Sequence, residues 1–374
     1  MRVIVLAIVL WSATAHAHAA SGAHESPRWC GGKLAMLADG GVWIDRVLVP
    51  VAEVEGLVAW SPACDVVAVV GSRAHAIDAR TGAIHELGAL PGHFDHAMRM
   101  VGPAQSIRFS PSGKRFAVVV VNQTISDMHL AVFDVAKETS WLVGTTGEVH
   151  AFALVDDDTA VIAIRPATEQ ATRLLRATAA GSKRMNQADY TDGRISLAPV
   201  VIAMTTAAGD LVVVEAAGTE RTIAHKLDYL QAMSDDGTRA LAVVNSRASS
   251  IELTGAVHPF DADLGFGLIA DQDTGWSTDG TFTIASVTNH GGLKIDDGAR
   301  PRTWKGLPAG DLSHISIAPD GKRVAFLLEV PEPGKRSRHC DVEAWGRVEL
   351  YAGDVGATAK KLAVVAHLHH CGIE

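Results

Sequence analysis

Imidazole and carboxylate groups set close together can ligate a metal or move a proton. Two stretches of this 374-residue sequence crowd them. The first is His93-Phe94-Asp95-His96, with Arg99 following. The second gathers His367, His369, His370 and Cys371 at the C-terminus. On a strand, His367 and His369 project to one face and His370 to the other, so the second group reads more simply as edge-strand decoration. If the chain is an enzyme, a lyase or hydrolase drawing acid–base groups from one loop face, then His93, Asp95, His96 and Arg99 are the residues to carry it. The plainer reading is a solvated loop. No H-E-x-x-H occurs, so neither group belongs to a zincin pattern. The nucleophile elbow G-x-S-x-G is also missing, because Gly275-Trp276-Ser277 lacks the second glycine at the required spacing. The four cysteines, Cys30, Cys64, Cys340 and Cys371, contain no C-x-x-C, which removes zinc ribbons, redox pairs and covalent haem. No catalytic residue, metal or cofactor is therefore assigned.

The elements that would position such residues show a repeat. An apolar residue, a turn rich in Ser, Pro, Asp and Gly, and a β-rich run recur at steps of roughly 35 to 50 residues, the period of propeller blades. Trp60-Ser61-Pro62-Ala63-Cys64-Asp65 leads into 66–70, and Phe109-Ser110-Pro111-Ser112-Gly113 into 116–121. Met233-Ser234-Asp235-Asp236-Gly237 leads into 240–244, Trp276-Ser277-Thr278-Asp279-Gly280 into 281–287, and Ile317-Ala318-Pro319-Asp320-Gly321 into 324–330. Weaker copies stand at 154–158 and 197–199. Where they occur, Pro presets φ for the turn, Asp can bond the amides beyond it and Gly takes a positive φ. The runs that follow are β-branched and nearly continuous in apolar residues, as strands buried on both faces must be. Weaker strands follow most of them, so each unit is a four-stranded meander unable to cover its own faces. Stacking in a closed ring covers them. Seven copies are counted. Ser26 to Gly32 resembles an eroded eighth, so the expectation is an all-β propeller of seven blades, with eight left open. The longest irregular stretches are expected at 88–105, 166–194 and 331–346.

At these residues the chain resembles the TolB-type, WD40-like propeller repeat, most closely over Ile317 to Leu328 and Phe109 to Val119. That resemblance implies a fold and, for function, an exported module that binds an envelope component. It assigns no chemistry, because the motif serves many unrelated tasks. Ala76-Ile77-Asp78-Ala79-Arg80-Thr81-Gly82 matches the A-x-D-x-x-T-G motif of quinoprotein dehydrogenases once, and one copy reads as an outer β-turn.

In a propeller, the connections between blades and those between second and third strands share one face. Here that face gathers Arg73, His93, Asp95, His96, Arg99, Asn122, Arg165, Asn245, Arg247, Asn289, His290 and the basic run 335–339. Such a rim could hold an acidic partner or a carboxylate ligand. The cysteines sit in the repeat so as to suggest Cys30–Cys64 and Cys340–Cys371.

The N-terminus has the form of a signal peptide: Arg2, an apolar run from Val3 to Trp11, and A-x-A sites at 15–17 and 17–19. The run is about half the ~20 residues a membrane span needs. We expect residues 1–20 to be a signal peptide and 21–374 a single propeller domain, monomeric and not membrane-spanning, in the periplasm or secreted. A formal charge of −9 gives no basic footprint for nucleic acid. The expected role is a non-catalytic module binding an envelope protein or a small ligand.

Overall fold

The structure is a computed structural model that describes residues 27–52, 56–92, 106–121, 128–137, 140–143, 147–196, 200–215, 217–260, 274–277, 283–287, 292–296, 301–304, 307, 310–332, 342–355 and 357–372. It is an all-β, eight-bladed propeller. Each blade is a four-stranded antiparallel meander in sequence order. The blades span 28–50, 57–89, 107–143, 147–184, 192–224, 227–259, 274–304 and 311–372. The first strands contact one another around the ring and are therefore the innermost.

Burial on both faces explains the apolar runs. Along Arg115–Val121, Phe116, Val118 and Val120 join the core shared with blade 2. The alternate residues Ala117, Val119 and Val121 join the core shared with blade 4. The repeat's serine holds the turn. Ser61, Ser110, Ser196, Ser234 and Ser277 are all buried. Each hydroxyl accepts from a backbone N–H five or six residues on: Val66, Arg115, Val201, Arg239 and Thr283. Ser277 is thus a turn residue. The Ala76-to-Gly82 motif is a turn as well: Asp78 Oδ1 accepts from the amides of Arg80 and Thr81, at 2.9 and 2.7 Å.

The blade count resolves to eight. The eighth turn is the pair Gly31 and Gly32, at φ +52° and +103°, which links Arg28–Cys30 to Lys33–Ala38. Pro27, expected in that turn, precedes the first strand instead, and Ser26 lies outside the described residues. The stretch 166–194, expected to be irregular, holds the strands Arg173–Thr178 and Gly181–Arg184 and the start of blade 5. Those two strands are the third and outermost of blade 4. Being partly solvated, they lack the β-branched run of a doubly buried strand.

Among the described residues no strand is shared between blades 8 and 1, which meet through side chains and single backbone contacts. Leu34, Met36 and Trp43 pack with Ala325, Leu327, Leu350 and Val365. Trp29 Nε1 donates to Ser316 O at 3.3 Å. The Arg323 guanidinium lies 4.9 Å from the Trp29 ring centroid and donates to Gly32 O. Asp39 donates its amide to Val365 O and accepts from the His367 amide, at 2.7 and 2.9 Å. The Cys30–Cys64 disulfide ties the first strand of blade 1 to the first turn of blade 2. Cys340 and the Cys371 side chain lie outside the described residues. The expected Cys340–Cys371 pairing therefore falls outside the described residues.

Candidate functional site at the channel mouth

Inner strands all run from the mouth, where blades connect, toward the face that carries the serine turns. Several of them depart from a regular ladder. In blade 4, Val149 pairs with Ile164 and Ala151 with Ala163, which leaves His150 as the extra residue of a β-bulge. In blade 6 the extra residues are Asp228 and Gln231. In blade 8, His314 and Ile315 together face Phe326, and His314 adopts φ +52°. A bulge bends its strand and re-aims a side chain. Here it places polar residues among strands that otherwise pack as core.

The bulge at His150 organises a cluster across three blades. His150 Nδ1 lies 3.2 Å from Asp192 Oδ1, on the first strand of blade 5. Asp192 also accepts from Arg194 Nη1 at 2.6 Å and from the Gly193 amide. Arg194 Nε donates to Gln231 O of blade 6 at 3.0 Å. On the other side of the ring, His150 Nε2 is 3.8 Å from Glu148 Oε1, and Glu148 is ion-paired with Arg165. From blade 3, Arg108 donates to Ile195 O of blade 5 at 2.5 Å, reaching across the inner strand of blade 4. Burial opposes the charge on Asp192. The His150 hydrogen bond, the Arg194 charge and the Gly193 amide outweigh it and hold the carboxyl below its ordinary range. Burial pulls the Arg108 guanidinium down to about 10, against the opposing attraction of Asp235, so it stays charged at neutral pH.

The side chains of Glu148 and His150 are each 14% exposed, and that of Arg165 37%, so Arg165 forms the solvent side of the cluster. His150 Nε2 and Arg108 Nε are buried without a hydrogen-bond partner among the described residues. A neutral imidazole that donates Nδ1–H to Asp192 keeps its Nε2 lone pair toward Glu148, while a protonated one offers that carboxylate an N–H. The arrangement can therefore anchor a polar group or exchange a proton. Among the described residues, no group of three His, Cys, Asp or Glu is arranged to hold a metal ion.

Of the residues expected at this face, the structure places three of the ten candidates and Arg247. Arg165 enters the cluster. Arg73 begins the third strand of blade 2 and pairs with Glu86 on the outermost strand, away from the inner ring. Asn245 and Ser246, at φ +51° and +61°, form the tight turn between the second and third strands of blade 6. That conformation is one Asn tolerates well, and it accounts for the residue. Arg247 follows the turn, exposed. His93, Asp95, His96, Arg99, Asn122, Asn289, His290 and the run 335–339 lie outside the described residues. Sequence reasoning missed Glu148, His150, Asp192, Arg194 and Arg108. The available signal was a set of charged residues on first strands, such as Glu148 and His150 within an otherwise apolar run.

No helix among the described residues is long and apolar enough to cross a membrane. No protein-family model matches the chain, and no curated protein sequence matches it. Solved structures do. One is from a study of two prolyl endopeptidases, at 10% identity over 83% of this chain and 49% of that one, with a TM-score of 0.53. Another is dipeptidyl peptidase 4 of Porphyromonas gingivalis, at 12% identity over 82% and 55%, with a TM-score of 0.51. The Swd1 β-propeller domain of Myceliophteria thermophila covers 93% of its own length and 74% of this chain, at 14% identity and a TM-score of 0.47. This chain spans about half the length of the two peptidase chains. At such identities the likeness to the two peptidase chains is one of architecture, the β-propeller fold.

Proposed function

We propose that the chain is an exported, non-catalytic binding module of the cell envelope that takes a polar ligand, or a segment of an envelope protein, at the channel mouth. The observation that carries this reading is the bulge in the inner strand of blade 4. It sets His150 between Glu148 and Asp192, with Arg165 and Arg194 completing a charged cluster that core packing does not require. Propellers commonly serve as binding modules, and the TolB-like turns 109–119 and 317–328 favour an envelope setting. The Cys30–Cys64 disulfide fits an oxidising compartment. Native mass spectrometry of the mature protein, purified gently from its own envelope, tests the reading. A bound species present in the wild type and lost from Arg165→Ala and Glu148→Gln supports it. A species retained by both variants places binding elsewhere and removes the mouth from the reading.

The His150–Asp192 pair favours one second reading, an acid–base enzyme, because a carboxylate that orients an imidazole through Nδ1 leaves Nε2 for proton transfer. It requires a turnover that His150→Gln abolishes while circular dichroism stays unchanged.

A further inference from the structure

Blade 5 is built from four-residue inner strands, Asp192–Ile195, Ile202–Thr205 and Leu211–Val214. Its neighbour, blade 4, has Gly147–Leu154 and Ala160–Pro166, eight and seven residues long. At the seam between the two blades Val155, Met185, Val200 and Val201 are only partly buried, while Val161, Ile202 and Val213 are buried. A cleft of about 300 Å³ lies there, lined by Val155, Val161, Met185, Ile202, Val213 and other valines. It lies toward the serine-turn face, at the opposite end of the blades from the mouth cluster, and is independent of the function proposed above.

The rim of this cleft is polar on two sides. Arg176 and Glu215 both border it and both are exposed. Glu215 accepts a hydrogen bond from Thr219 Oγ1 at 2.9 Å. The Arg176 guanidinium makes no hydrogen bond or ion pair with any described residue, whereas the other arginines of blade 4 do: Arg165 pairs with Glu148, Arg173 with Glu169 and Arg184 with Asp189. An aliphatic cavity with one uncommitted guanidinium at its edge is complementary to an amphiphile with an anionic head. At the roughly 30 Å³ a water molecule occupies in the liquid, the volume admits about ten non-hydrogen atoms.

We infer that the cleft between blades 4 and 5 binds an aliphatic monocarboxylate of medium chain length, with its tail against Val161, Ile202 and Val213 and its carboxylate on Arg176. The guanidinium offers paired N–H donors to a carboxylate, and the tail replaces water on the valine surface.

Isothermal titration of the mature protein with octanoate, octanol and octylammonium tests this. Octanoate is expected to bind, with affinity rising roughly three- to four-fold per methylene from butanoate to octanoate. Arg176→Ala is expected to weaken octanoate about ten-fold and leave octanol unchanged. Val213→Phe, which fills the cleft, is expected to abolish binding; should it fail to fold, the Arg176→Ala comparison decides alone. No heat with octanoate, equal binding of octanoate to Arg176→Ala and wild type, or preferential binding of octylammonium would each overturn the inference.

Discussion

At the residue scale the fold rests on a few polar contacts inside apolar surroundings. Ser234 is buried; its hydroxyl accepts from the Arg239 amide and donates to Asp236. Ser234→Ala strands that amide and is expected to cost about 1–3 kcal/mol in urea denaturation. Glycine requirements differ between turns. At Gly237 (φ +65°) an added Cβ would meet Val201 Cγ2 at 2.6 Å, whereas at Gly113 (φ +73°) the nearest atoms are 3.7 Å away. Gly113→Ala should show only the left-handed penalty of roughly 1–2 kcal/mol, and Gly237→Ala a larger loss by the same measurement. Glu349, nearly buried on the third strand of blade 8, gives a pH signature. Burial pushes its carboxyl up, but hydrogen bonds from Lys361, Arg347 and Tyr351 prevail and hold it at about 2, against 4.5 in a free side chain. Because the folded state favours the carboxylate, this stabilisation is complete above pH 4.5 and is lost as pH falls toward 2. Glu349→Gln should be less stable than wild type at neutral pH, and the gap should close across that acid window. A gap independent of pH would contradict the assignment. The turn places of Ser234, Gly113 and Gly237 were legible in the sequence, whereas the role of Glu349 was not, since it meets Lys361 only through strand pairing.

At the element scale the informative departures are irregular strands and a staple. A bulge inserts one residue into a ladder, and the sequence Glu148-Val149-His150-Ala151-Phe152 does not show where. Alternation alone gives no means of telling which of these is extra. Arg165 was legible as a mouth residue because it stands at the end of the strongly apolar second strand, Ala160–Pro166. Its partner Glu148 was not, because it stands at the start of the bulged inner strand, where polar and apolar residues mix. Asn245 was read from the sequence as a rim residue only; its place in a two-residue turn, at φ +51°, came from the structure. The disulfide anchors the three-residue strand Arg28–Cys30, which pairs with one neighbour only. Reducing it, or replacing both cysteines by serine, is expected to cost about 2–4 kcal/mol. The faster amide exchange should be confined to 28–38 and the Ser61 turn. Uniformly faster exchange would mean that the staple supports the whole ring instead.

At the scale of the whole molecule, the join between blades 8 and 1 among the described residues rests on a few groups. Arg323→Met, which removes both the Gly32 bond and the contact with Trp29, should lower stability by about 1–2 kcal/mol. It should also raise exchange in those two blades ahead of the others. The blade architecture and its approximate period were determined by the sequence alone, because a repeated turn followed by a doubly apolar strand has few other ways to bury itself. Local rules also settled the turns, since φ preferences and Asp–amide bonds act within five or six residues. Only the tertiary structure decided the eighth blade, whose glycine turn has lost the repeat's residues, and the strands within 166–194. It alone brought His150, Asp192 and Arg194 together and opened a cleft beside the short strands of blade 5. Those features depend on how neighbours meet around a ring, and a pattern confined to one blade carries no record of its neighbour.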